Sequence, residues 1–245
     1  MPTMTAPQNS ADVSTMPTCR PDHWDKLPYR WARARLNPHS FQRYFVRTLD
    51  QHDKSDPVKA FPWRRAHLQA ITDLWADNPL LIICKSRQMM MTWLFCVLAL
   101  WDAMFHPGRL IMLQSKREED AVGDEVAGDG LLGRCKFILN HLPGAVELNP
   151  QDILLPDGGT AHKRGNRIQF SRNSTLWAIP QGASIIRQRT ASGILSDEAA
   201  FQDEFSDAYT AALPCIRGGG WFAAVSTPHP SFFQHLYQDT LGDFE

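Results

Sequence analysis

Paired cysteines are missing from this 245-residue chain: Cys19, Cys84, Cys96, Cys135 and Cys215 share no close spacing. Zinc ribbons, dithiol redox centres and disulfide frameworks need such pairs, so the pattern argues against all three and favours a reducing compartment. Excess charge of either sign is missing too. Twenty-five Lys and Arg against 26 Asp and Glu leave a formal net charge of −1, which gives no bulk attraction to nucleic acid, so any DNA contact has to be local. The longest apolar run, residues 93–105, is interrupted by Asp102 and is too short to span a membrane. The amino terminus lacks a charged start followed by an apolar stretch, so no secretion signal is expected. The nine histidines show no metal-ligand spacing, and no internal repeat is visible.

What is present suits one α/β domain of the larger kind, with an ordinary 43% of hydrophobic residues to build its core. Residues 1–21, rich in Pro, Thr, Ser and Asn, have too few apolar groups to offset the entropy of ordering and read as a flexible arm. Residues 22–60 mix aromatic and charged side chains and read as a helical lid or subdomain, with an amphipathic helix over residues 41–49. From residue 61 onward strands and helices alternate: helix over Ala66–Ala76, strand over Leu80–Cys84, helix over Thr92–Phe105, strand over Arg109–Gln114. That alternation predicts parallel strands with right-handed crossovers. Residues 116–141 read as helix broken at Gly128-Asp129-Gly130 and at Gly133. Arg167–Phe170 and Thr175–Ile179 then read as an antiparallel hairpin inserted into the sheet, and Phe232–Tyr237 as a closing helix.

Three segments carry chemistry. Residues 80–92 read as strand, polar loop and helix start, the layout that cradles phosphates. On the phosphate-loop template Thr92 takes the terminal hydroxyl position that meets Mg²⁺, while Met91 falls where the lysine belongs and Met90 on the second glycine. Lys85 falls on the first glycine position, so the loop has no glycine and its cation stands at the opposite end. A second segment, Gly193 to Phe201, is an apolar strand ending in the adjacent carboxylates Asp197 and Glu198. Two acids at a buried strand end repel each other unless a cation is near. In a phosphate-loop NTPase the first helps hold Mg²⁺ and the second polarises the attacking water. The third, Trp221 to Pro228, is another buried-type strand, ending in Ser226, Thr227 and Pro228. Three strand ends then face one site, as an ATP site on an open parallel sheet requires.

These residues resemble the large terminase subunits of tailed bacteriophages, the ATPases that pump DNA into capsids. The loop Lys85-Ser86-Arg87-Gln88 through Met89, Met90 and Met91 to Thr92 resembles that family's Walker A sequence, with the lysine at the loop's start. Asp197-Glu198-Ala199 is similar to its second motif, Ser226-Thr227-Pro228 to its coupling motif, and Gln69 to its adenine-reading glutamine. The resemblance covers roughly residues 61–238. It implies an ASCE/RecA-like phosphate-loop NTPase core over residues 61–245, with a mostly parallel central sheet flanked by helices. It also implies ATP and Mg²⁺ as cofactors and hydrolysis that moves double-stranded DNA. Implied partners are the small terminase subunit, the portal protein of the procapsid and a homo-oligomeric ring assembled on it, in the host bacterial cytoplasm. The isolated chain is expected to be a monomer, and the family's RNase H-like nuclease half is not expected within these residues.

Further side chains are candidates on chemical grounds. Arg87, inside the loop, can stabilise charge spreading over the γ-phosphoryl oxygens in cis, and Arg187 and Arg189 are candidates for a finger offered to a neighbouring subunit. For DNA, His162, Lys163, Arg164, Arg167 and Arg172 form one basic cluster and Arg30, Arg33 and Arg35 another; such loops bind phosphates without reading sequence. Asp203, Glu204 and Asp207 read as a solvated helix face. Two rival functions stay open at this stage. A helicase-type translocase would share the loop and the acids but adds a second motor domain. A nucleotide-gated binding or scaffold protein without hydrolysis would explain the three methionines in the loop.

Overall fold

The computed structural model describes residues 26–239, so the arm expected over residues 1–21 lies outside the described residues. The chain opens with two helices, α1 (Leu27–Leu36) and α2 (Pro38–Phe45), and a small hairpin, β1 (Arg47–Leu49) with β2 (Val58–Ala60). Then come α3 (Ala66–Asp77), β3 (Leu80–Cys84), α4 (Met91–Phe105) and β4 (Leu110–Gln114), within a residue or so of the sequence reading. The single helix expected over residues 41–49 instead ends at Phe45. Val46 is extended, and the β-branched Val46 and Thr48 favour the strand that follows.

Helices α5 (Glu118–Val122) and α6 (Leu131–Asn140) flank the expected break at residues 128–130, but Gly133 lies inside α6. It is needed there for space, because a Cβ at Gly133 would come within 2.6 Å of the Asp124 carbonyl oxygen. Five strands follow: β5 (Val146–Asn149), β6 (Asp152–Leu154), β7 (Thr160–Arg164), β8 (Arg167–Phe170) and β9 (Ser174–Ile179). The chain ends with α7 (Ser184–Arg187), β10 (Gly193–Asp197), α8 (Phe205–Arg217), β11 (Trp221–Ser226) and α9 (Phe232–Tyr237).

The main sheet has nine strands in the order β3-β11-β10-β4-β9-β8-β7-β6-β5. The first five run parallel, and β8 to β5 continue as an antiparallel meander. The expected hairpin is thus one part of a larger insertion. Its second strand, β9, belongs to both halves, parallel to β4 and antiparallel to β8.

Helix α4 is apolar on every side and, apart from Thr92, buried along its whole length, as a helix enclosed in a core must be. Helices α1 and α2 join the same core rather than building their own: Trp31 and Phe41 both pack on Phe105, with ring centroids 4.9 and 5.7 Å apart. The far end of α4 is pinned by Asp102, whose carboxylate accepts from Arg109 Nε and Nη2 (3.0 and 2.8 Å) and from Trp221 Nε1 (2.8 Å). Burial works against that charge, but the bonds from His106, Arg109 and Trp221 outweigh it and hold the Asp102 carboxyl below the usual range.

Candidate functional site

The parallel register brings three strand ends together. Ser226 of β11 lies beside Cys84 of β3, and Asp197 of β10 beside Val225 of β11. The Lys85 N–H donates to the Ser226 carbonyl (2.9 Å), tying the start of the loop to the end of the coupling strand. From Lys85 the loop turns into α4 through two left-handed residues, Gln88 (φ 62°) and Met90 (φ 61°). Met90 stands where the template carries glycine and takes the conformation that glycine serves, at a cost of about 1–2 kcal/mol for a residue with a Cβ. No side chain caps the helix at Met90, so the first-turn N–H groups of α4 are left for another acceptor. An uncapped helix start with its positive dipole end is a site for anions.

The charged groups stand around that helix start. Thr92 Oγ1 donates to both oxygens of Asp197 (3.2 and 3.3 Å), and Lys85 Nζ donates to Glu198 Oε1 (2.9 Å). The other Glu198 oxygen accepts from Ser226 Oγ, Thr227 N and Thr227 Oγ1, each at 3.4 Å. Glu198 is itself left-handed, at φ 49°. Burial pushes the Asp197 carboxyl up to about 6, helped by the charge of Glu198 and opposed by Lys85, Arg134 and the Thr92 bond. Glu198 moves the other way: burial would raise it, but the bond and charge of Lys85 and the bonds from Thr227 bring it below its ordinary value. One strand end therefore holds two adjacent acids in different environments, one raised by burial and one kept ionised by Lys85. Among the described residues no group of three or more His, Cys, Asp or Glu could hold a metal. Thr92 with Asp197 fits instead an ion such as Mg²⁺, which keeps waters and takes its remaining ligands from phosphate.

A cavity of about 630 Å³ opens beside these groups, lined by Lys85, Gln88 through Trp93, Arg65 and Arg134, and by Asp50, Gln51 and His52 at the β1–β2 turn. The sequence reading missed Arg65, Arg134 and the turn residues. Arg134 did leave a signal, as a cation within the largely apolar first turn of α6. Met91 is 4% exposed, and its side chain belongs to the core. Ser86 and Arg87 are exposed at the loop's outer turn and do not line the cavity. Gln69 lies on α3, also outside the lining; the α3 residue that reaches the loop is His67, whose Nε2 is 3.3 Å from the Met89 carbonyl oxygen. Arg187 and Arg189 are exposed and line a separate cavity of about 420 Å³ with Thr210 and Pro214, so they do not join this site in cis. Pro228 lines a third cavity with Cys84 and Phe233.

The first basic cluster proposed for DNA does not stand as a free positive loop. Alternation along β7 turns Lys163 inward, where it is 6% exposed, donates to Asn140 (2.8 Å) and pairs with Glu125 (3.2 Å). His162 pairs with Asp152, Arg172 with Asp157, and Arg167 stacks on Trp177. Arg164 remains exposed. In the second cluster Arg33 and Arg35 are exposed and Arg30 lies over the Tyr44 ring. Asp203, Glu204 and Asp207 are exposed, in line with a solvated face.

No protein-family model and no curated protein matches the chain. Solved structures do. The large terminase of bacteriophage HK97 aligns with 85% of this chain and 41% of its own at 15% identity, with a TM-score of 0.54. The present chain thus spans well under half of that protein. The large terminase ATPase domain of Thermus phage P74-26 aligns with 71% of this chain and 68% of its own at 18% identity, with a TM-score of 0.48. The HK97 alignment shows the fold alone: an α/β domain with a mixed central sheet flanked by helices, arranged as in that protein.

Proposed function

We propose that this chain is the ATPase domain of a phage large terminase, hydrolysing ATP with Mg²⁺ to move double-stranded DNA into a procapsid. The observation that carries the reading is the pairing of Lys85 with Glu198 and Thr92 with Asp197 around the uncapped start of α4. In this reading the first-turn N–H groups of α4 and the ammonium of Lys85 bind the triphosphate. Thr92 and Asp197 would hold Mg²⁺, which when bound neutralises charge on the phosphate oxygens. Lys85 exchanges Glu198 for a phosphate oxygen, and the freed carboxylate orients a water and accepts its proton. Because Ser226 and Thr227 hold the other oxygen of Glu198, its movement is passed to the segment after β11, which is the role expected of a coupling motif. Arg87 in cis, or Arg187 and Arg189 from a neighbour in a ring, would stabilise the transferring phosphoryl group. The same reading includes assembly with a portal and a small terminase subunit in the host cytoplasm. Among the described residues no helix is long and apolar enough to cross a membrane.

Steady-state ATP turnover tests the loop assignment. Losing one positioned charge at the phosphoryl group costs about 3 kcal/mol in the barrier. Lys85→Ala should therefore lower turnover about a hundredfold. Met91→Leu, which conserves volume in the core, should change it less than about tenfold. Equal effects at the two positions would remove Lys85 from its role.

A further inference from the structure

We infer that Arg134 is a second phosphate-binding cation of the nucleotide site, acting in cis from helix α6. The inference rests on the nucleotide-binding reading above and adds to it a residue that no loop motif contains. Arg134 stands among buried residues of α6, Leu131, Leu132, Cys135, Phe137 and Ile138; the helix's other cation, Lys136, is taken up by the Gly165 carbonyl (3.0 Å). A guanidinium in such surroundings is costly unless something uses it. Inside the protein it is only partly used: Nη1 donates to the Gly130 carbonyl (2.6 Å), while Nε is buried and has no partner. No carboxylate among the described residues forms an ion pair with it; the acid that feels its charge is Asp197, one of the groups assigned to the nucleotide site.

What surrounds the guanidinium points to an anion. It lies over the Trp93 ring, 5.5 Å from the centroid, and Trp93 follows Thr92 directly on the first turn of α4. It lines the same cavity as Lys85 and Thr92. The contact with Trp93 and the bond to Gly130 hold the guanidinium beside the cavity, and the terminal N–H groups that Gly130 does not take are left for an anion bound at the helix start. A planar guanidinium binds phosphate through two parallel bonds, which an ammonium cannot do.

The test is calorimetric titration of the full chain with a non-hydrolysable ATP analogue and Mg²⁺, using Arg134→Gln and Arg134→Lys beside the unaltered protein, with ligand-free melting as a second readout. Arg134→Gln should bind the analogue at least about tenfold more weakly, as loss of a charge-assisted bond implies, and melt within a few degrees of the unaltered protein. Arg134→Lys, which keeps the charge and loses the fork, should fall between the two. Affinity within twofold of the unaltered protein in Arg134→Gln would overturn the assignment. If that variant does not fold, Arg134→Lys decides in the same way: weakened binding supports the role and unchanged binding overturns it. An unaltered protein that binds no analogue would overturn the nucleotide-binding reading itself, and Arg134's role with it.

Discussion

If Lys85 leaves Glu198 when the triphosphate binds, the two side chains must be coupled in the free protein and uncoupled in the complex. At 2.9 Å and an effective dielectric of about 20, two full charges attract by roughly 6 kcal/mol. Glu198 is 40% exposed, so water screens the pair, and desolvation of Lys85 takes a further share; about 1–3 kcal/mol of coupling should remain. A double-mutant cycle of Lys85→Met and Glu198→Gln, read by urea unfolding without nucleotide, measures that term. The same cycle read by the affinity of a non-hydrolysable ATP analogue should return a term of similar size and opposite sign, because binding breaks the pair. Glu198→Gln alone should then bind the analogue as tightly as the unaltered protein or more tightly, since a competitor for Lys85 has gone. A coupling near zero in the free protein, or near zero in the affinities, would refute the exchange of partners.

Met90→Gly should keep nucleotide affinity and leave stability within about 1 kcal/mol by urea unfolding, because relief of the left-handed strain and the added freedom of the unfolded chain nearly cancel. Met90→Val, β-branched at φ 61°, should lose about 2 kcal/mol or more in the same assay. Asp102→Ala should cost about 3–5 kcal/mol, since it leaves Arg109 and Trp221 without their acceptor. The pH dependence has two arms. Asp102 is held below its ordinary value, so its contribution is present above the usual carboxylate range and is lost as pH falls through the folded value. The bond to Asp102 raises His106, so its contribution is present below the usual histidine range and fades as pH rises through the folded value. Unfolding curves of Asp102→Asn should be flatter in both arms than those of the unaltered protein. Gly193→Ala should destabilise strongly and lower the melting temperature, because the new Cβ would overlap the Trp221 ring.

The parallel half of the fold was legible because its strands are continuous apolar runs and its helices are long. Leu80–Cys84 and Met91–Phe105 sit where the sequence reading puts them. The meander was not legible: β5 to β7 are three to five residues long, β5 is exposed along its length, and polar side chains hide their period. In the site, the motif residues Lys85, Thr92, Asp197, Glu198, Ser226 and Thr227 do meet, because each ends or follows a strand of one sheet. Lys163 went astray because charge was read without strand parity. Arg65, Arg134 and the β1–β2 turn reach the cavity through packing of separate elements, which spacing along the chain does not encode.

Binding and hydrolysis by Glu198→Gln, measured side by side, test the central claim most directly. The metal and the phosphates are assigned to Thr92, Asp197, Lys85 and the start of α4, and water activation to Glu198 alone. Glu198→Gln should therefore bind ATP with Mg²⁺ at least as tightly as the unaltered protein and lose at least about a hundredfold in turnover, the low end of what a positioned general base contributes. Collapse of nucleotide affinity in this variant, or turnover close to that of the unaltered protein, would contradict the account.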